Sequence, residues 1–361
     1  MNTATVTWIA YENYGTYLQA YALQQILRKL GHENHIIYDS YFAKYVPDKI
    51  PFFKRVIQFI KFIVIGKHHY THFRFKLFEK QYLSIEYNVT VTDGLGDKYD
   101  VFICGSDQIW SPYLDFEPFY FLGFKAKKKI AYAPSIGTDK FTKQFISRAL
   151  PLIKDFDFIS TREKVISDSL SMLIGRDVET VVDPTLLLLK ADWMKLIKCV
   201  NMNHYLLCYF LTPNEWYINI AKDYSKKKKL KLVVFSICPK CEMYADTIIY
   251  AGPKEFLSYI MSADMIFTDS FHASIFSLIF QKSFVAFKRF EDGKDNDQNS
   301  RFYNLFDELG IKDHFVEINN VEKVYSVHTI DWNSVNNQIE ILRRKSISYL
   351  KKALSTNGKD M

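Results

Sequence analysis

The chain has 361 residues, 48% of them apolar, enough for two ordinary domains with real cores. Its 47 Lys and Arg against 40 Asp and Glu leave +7, too mild an excess to argue for nucleic acid, though it fits an anionic substrate or lipid surface. Five irregularly spaced cysteines argue against a disulfide framework and for a reducing compartment. With no leader sequence and no run of ~18 apolar residues, a cytoplasmic protein is expected.

In chain order, residues 3–10 read as a strand. Leu18, Tyr21, Ala22, Gln25, Ile26 and Leu30 then mark one face of a helix that Gly31 stops, and residues 35–38 read as the next strand. Asn13-Tyr14-Gly15-Thr16 lies at the first strand–helix junction, where α/β folds place ligands, but one glycine is no dinucleotide fingerprint. Residues 51–66 form a basic amphipathic segment, with Phe53, Val56, Ile57 and Ile60 on one face and Lys54, Arg55 and Lys61 on the other. Such a segment lies on an anionic membrane or packs as a surface helix, and its amphipathicity does not separate the two. His68, His69 and His72 follow it, without the neighbouring carboxylates or thiols a metal site wants.

Residues 100–104 read as a strand ending in Gly105-Ser106-Asp107-Gln108-Ile109-Trp110, either a pocket lip or a plain tight turn capped by Ser106. Further strands are expected at 129–133, ending in Pro134-Ser135-Ile136-Gly137, at 157–161, leading into Arg162-Glu163, and at 179–182, leading into Asp183-Pro184-Thr185. Arg162 is placed to grip a phosphate or carboxylate by its planar fork; pairing with Glu163 is the plainer alternative. The rhythm breaks near residues 188–192. A second series follows, with strands at 204–211 and 230–237 and helices at 215–224 and 253–263. Cys238-Pro-Lys-Cys241 has neither a second pair for zinc nor a thioredoxin-like context.

Met265 to Phe267 then reads as a buried strand, Thr268-Asp269-Ser270 as a capping turn, and Ile275, Phe276, Leu278 and Ile279 as a helix with His272 in its first turn. The unpaired amides and positive dipole end of such a helix receive an anion well, and a His beside that anion can move a proton. The plainer reading is a Ser270 cap and a His272 filling a polar gap. A strand at 284–287, a polar and acidic stretch at 291–300 that is a candidate lid, a helix opened by Arg301, and a final helix at 332–354 complete the chain. The expected organisation is α/β: two Rossmann-like domains facing across a cleft, 1–187 and 188–330, with the helix in 331–361 able to cross back to the first.

Together, Asn13-Tyr14-Gly15-Thr16-Tyr17-Leu18-Gln19-Ala20, Gly105-Ser106-Asp107-Gln108-Ile109-Trp110, Ala133-Pro134-Ser135-Ile136-Gly137, Ile159-Ser160-Thr161-Arg162-Glu163, Val182-Asp183-Pro184-Thr185, Thr268-Asp269-Ser270-Phe271-His272 and the Arg301 helix resemble the polysaccharide pyruvyl transferases. The resemblance implies a GT-B-like pair of domains. It also implies transfer of the enolpyruvyl unit of phosphoenolpyruvate to two hydroxyls of a capsule, exopolysaccharide or other envelope glycan precursor, often carried on a polyprenyl diphosphate. The first domain would then take the acceptor and the second the donor, at the inner face of the membrane. His272 matches the family's motif His and is the candidate acid/base. Asp107 would orient or deprotonate the sugar hydroxyl, and Arg162 would grip the donor. Asn13, Gly15, Ser106, Gln108, Ser135, Asp269, Ser270 and Arg301 are the further candidate binding residues. The scheme needs no cofactor and no metal beyond phosphoenolpyruvate as donor.

Many relatives carry an Arg where this chain has Ser270, which leaves Arg301 or Lys288 to compensate. A GT-B nucleotide-sugar glycosyltransferase is the main alternative, although no acidic pair in the second half is spaced to hold a ribose. A non-catalytic scaffold in glycan assembly is a second alternative, which His272, Arg162 and Asp107 argue against.

Overall fold

Short strands, the central ones apolar and buried, make two parallel sheets in the computed structural model, which describes residues 1–9, 12–39, 68–89, 94–113, 115–237, 239–292 and 297–355. The amphipathic segment 51–66, Cys238 and the middle of the 291–300 stretch lie outside these residues. The first sheet contains β1 (Asn2–Val6), β2 (Glu33–Asp39), β3 (Ile85–Val89), β4 (Val101–Cys104), β5 (Lys129–Ala131), β6 (Phe158–Thr161) and β7 (Glu179–Thr180), in the order β3-β2-β1-β4-β5-β6-β7. The second contains β8 (Tyr205–Tyr209), β9 (Lys231–Phe235), β10 (Thr247–Ile249), β11 (Met265–Thr268), β12 (Phe284–Phe287) and β13 (Phe315–Val316), in the order β10-β9-β8-β11-β12-β13. Every strand of β4 and β11 type is buried on both faces because helices cover both sides, as parallel sheets require.

In each sheet the strand order reverses once, between β1 and β4 and between β8 and β11. Ligands of open α/β sheets bind outside the carboxyl ends of the strands at such a reversal. The helices α1 (Tyr14–Lys29), α2 (His68–Tyr82), α3 (Lys143–Ile153) and α4 (Lys164–Ile174) belong to the first half. In the second half come α5 (Glu215–Lys228), α6 (Pro253–Ser262), α7 (Phe271–Phe280) and α8 (Ser300–Glu308), before the last helix, α9 (Trp332–Ser355). Asn13 caps α1 by accepting from the Thr16 amide at 3.2 Å, and Gly31, at φ +86°, takes the left-handed turn after it.

The halves share one apolar core, which fixes their relative placement. Tyr14 of α1 stacks on Phe256 of α6 with ring centroids 4.6 Å apart, and its hydroxyl donates to Ala251 O at 3.3 Å. Trp193 bridges Tyr21 of α1 and Phe276 of α7. Helix α9 returns to the first sheet: Tyr349 Oη donates to Ala131 O, Val182 N to Ser346 Oγ, and Arg343 Nε to Leu186 O. Among the described residues, no helix is long and apolar enough to cross a membrane.

Candidate functional site

The strand reversals of the two sheets, with the first turns of α1 and α7, enclose a buried polar chamber. Its centre is Asp183, which follows β7 and whose side chain has no exposed surface. Asp183 Oδ2 takes Arg162 Nη1 at 2.5 Å and lies 3.4 Å from His272 Nε2, while Oδ1 accepts from the amide and hydroxyl of Thr185. Burial alone would raise the Asp183 carboxyl. The charges of His272 and Arg162 and their hydrogen bonds outweigh it and hold the group well below the usual carboxylate range.

His272 is nearly fully buried in the first turn of α7, which Ser270 caps by accepting from the Ala273 amide. The opposite wall of the imidazole is Gly15. A Cβ there would lie 2.1 Å from His272 Nδ1 and 2.3 Å from Cγ. Only a residue without a side chain lets α1 and α7 meet at this point.

Arg162 leaves the end of β6, and Arg301 rises from the first turn of α8. Their guanidinium carbons stand 4.9 and 5.3 Å from the centre of the Phe271 ring. Both are buried, at 4% and 6% exposure, yet Arg162 Nε and Nη2 and Arg301 Nε have no hydrogen-bond partner. Arg301 has no carboxylate within ion-pair distance among the described residues. Burial, then the like charge of Arg162, lowers its pKa to about 10. Buried N–H groups are normally paired, so two guanidiniums with donors idle among the described residues have the chemistry to bind an anion.

The other predicted residues are placed as follows. Asp107, after β4 at φ +66°, accepts from Thr16 Oγ1 at 2.7 Å and from the Gln108 amide, and its charge acts on both arginines. Gln108 lies against Gly137, whose Cβ position would be 2.1 Å from Gln108 Nε2, and donates to Gln298 across the cleft. Ser135 donates to Glu163 Oε1. Five residues have polar atoms engaged by structure. Ser106 donates its hydroxyl to Ala133 O and its amide to Gln19. Asp269 ties the β8 and β11 ends by accepting from the amides of Leu211 and Thr212, and burial pushes its pKa up to about 6. Asn13 and Ser270 cap helices. Lys288 is held by Asp292 and Glu317 and does not reach the arginine pair. Arg162 pairs with Asp183 rather than with Glu163.

The sequence reading did not place Asp183 in the site, although Val182-Asp183-Pro184-Thr185 was a visible motif at a strand end. Glu163 was also missed. It is 2% exposed, its Oε2 is unpartnered, and burial pushes its carboxyl up against the pull of Arg162, Ser135 and Arg301.

By overall structure the chain is similar to several sugar-nucleotide proteins. A Listeria monocytogenes protein assigned as a UDP-N-acetylglucosamine 2-epimerase superposes with a TM-score of 0.55 at 9% identity, over 100% of this chain and 97% of that one. A UDP-GlcNAc 2-epimerase from Neisseria meningitidis gives 0.52 at 10% identity, over 98% and 99%. A glycosyltransferase from Rickettsia africae gives 0.50 at 14% identity, over 98% and 99%. Comparison with curated proteins by sequence finds no match. These likenesses establish the fold: two Rossmann-like domains of the GT-B kind, with the polar chamber between them. The family model for polysaccharide pyruvyl transferase matches residues 13–292, so the chain belongs to that family and is a transferase.

Proposed function

We propose that this chain transfers the enolpyruvyl unit of phosphoenolpyruvate to two hydroxyls of one sugar, leaving a pyruvate ketal on a capsule or exopolysaccharide precursor. The observation that carries this reading is the pair of buried, under-bonded arginines beside His272, in a member of the pyruvyl transferase family. Phosphoenolpyruvate is a small dianion-or-greater with a phosphate and a carboxylate. Arg162 and Arg301 supply two forks for those two groups, in a dry site where charge-assisted bonds are strong.

In this scheme His272, whose Nε2 lies 3.4 Å from Asp183 Oδ2, gives a proton to the vinyl carbon C3. The C2=C3 electrons form the new C3–H bond, and C2 becomes oxocarbenium-like. The first sugar hydroxyl adds to C2 and gives up its proton to Asp107. Phosphate leaves with the C2–O pair, the second hydroxyl closes the ketal, and its proton restores His272 while that held by Asp107 departs with the phosphate. General acid–base help of this kind contributes about 10²–10⁴ in rate, and the guanidiniums stabilise the departing phosphate charge.

The acceptor in this reading is linked to a polyprenyl diphosphate, which brings the chain to the inner face of the membrane as a peripheral protein. Segment 51–66 has the composition to meet that surface. The test is phosphate release from phosphoenolpyruvate with a lipid-linked, galactose-containing oligosaccharide, beside His272→Ala and parallel reactions with UDP-sugars. Sugar-dependent release that His272→Ala abolishes, with a product heavier by one pyruvate ketal, supports the reading. Turnover of a UDP-sugar instead would overturn it in favour of a glycosyltransferase.

A further inference from the structure

Two neighbouring cavities differ in charge, and the arginine pair lines the first of them. One, open to solvent, is walled by α4, α8 and α9. Exposed Lys164 and Lys345 line it together with the buried Arg162 and Arg301. Four cations face two acids, Asp183 and Glu308, among its lining residues. The second lies between α4 and α8, with Asp292 and Asp297 on its wall. Seven carboxylates line it, among them Asp139, Glu163, Asp292 and Asp297, against Lys164 alone among the described residues.

We propose that the basic cavity behind the cleft, built by Lys164 and Lys345 above Arg162 and Arg301, is the entrance and holding site for the anionic donor, distinct from the acidic opening beside it. This rests on the reading that the donor is a phosphorylated carboxylic acid. A dianion meets repulsion at the acidic opening. At the basic one it meets cations in sequence, two exposed and then two buried, and the buried pair has idle N–H donors at 4% and 6% exposure. Like-sign lining with low-dielectric walls focuses the field and raises the local concentration of the opposite charge, by 10–10³ in association rate. The arrangement also gives α9 a role: by returning to the first sheet it carries Lys345 to the cavity wall, with Leu342 and Ser346 beside it.

The experiment is charge reversal at the entrance, Lys345→Glu and Lys164→Glu/Lys345→Glu. Both side chains are exposed, so the fold should tolerate the change, and Lys226→Glu on α5 serves as a charge-matched control. The expected result is a fall of about tenfold or more in kcat/KM for phosphoenolpyruvate at low ionic strength. The fall should shrink above roughly 0.5 M salt, where screening is short-ranged. The acceptor KM should hold, and Lys226→Glu should match wild type. Inorganic phosphate association, followed by calorimetry and stopped flow, is read in parallel. If phosphoenolpyruvate is turned over and the double variant keeps its low-salt kcat/KM, the entrance is refuted while the function stands. If phosphoenolpyruvate is not used but phosphate binds and weakens in the double variant, the anion cavity stands and the proposed function falls. Phosphate binding unaffected by the double variant overturns the entrance in either case.

Discussion

Gly15→Ala tests the centre of the site through a residue with no functional group. The position is the second of α1, with helical backbone, so Ala is locally favourable by about 0.5–1 kcal/mol. Against that, the new Cβ would lie 2.1, 2.3 and 2.8 Å from Nδ1, Cγ and Cβ of His272. An ordinary contact is about 3.5 Å, so the imidazole must retreat by roughly 1.4 Å. Overpacking of this kind costs about 1–3 kcal/mol, so the net effect is a destabilisation of roughly 1–2 kcal/mol. Activity should suffer more, because a misplacement of ~1 Å at a reacting group costs on the order of 10²-fold. Phosphate release and thermal unfolding measure the two effects separately. In Gly15→Ala/His272→Ala the two closest atoms are gone, so most of the lost stability should return while activity stays at the His272→Ala level. A Gly15→Ala protein that melts higher than wild type and keeps full activity would refute the contact between α1 and α7, and with it the site geometry.

The two arginines should answer differently to the same substitution. Arg162→Met strips an ion pair from buried Asp183 and should cost about 3–5 kcal/mol. Arg301→Met removes a buried cation with no carboxylate in ion-pair distance among the described residues and should leave Tm unchanged or raised, while both variants lose donor binding; equal losses of Tm would contradict the pairing. Asp269 gives a pH signature. With its pKa raised to about 6, the folded state holds a proton that the unfolded state, near 3.8, has released. Stability from this group therefore falls as pH rises from about 4 to 6, by on the order of 1–3 kcal/mol. Asp269→Asn should flatten denaturant-derived stability across that window relative to wild type, and an unchanged slope would show that Asp269 is not the cause.

Each element with a strong local pattern was legible in the chain. The strand into the Thr268-Asp269-Ser270 turn and the helix after it both correspond to structure, because a buried parallel strand must be apolar along its length and a packed helix repeats its apolar residues every three to four positions. The elements missed carry weak patterns. Thr247–Ile249 and Phe315–Val316 are edge strands of three and two residues, and His68–Tyr82 is a helix rich in polar and aromatic residues with no clear stripe. Some predicted strands end early for a backbone reason: Ala133, at φ +53°, turns the chain after β5.

Sequence alone determined the fold class, the family resemblance and the candidate roster, since these rest on local periodicity and on motifs written in order along the chain. Which of those residues face a ligand was decided only by tertiary contacts. Ser106, Asp269 and Lys288 look equivalent to Arg162 and Arg301 as polar candidates, yet the first three find internal partners and the arginines keep idle donors. Asp183 reads as a turn residue until folding sets it against His272, 89 positions later, and Gly15 reads as a loop glycine until α7 arrives from 257 positions away. Hydrogen bonds and steric contacts act over a few ångströms, and only the folded chain brings such distant residues that close.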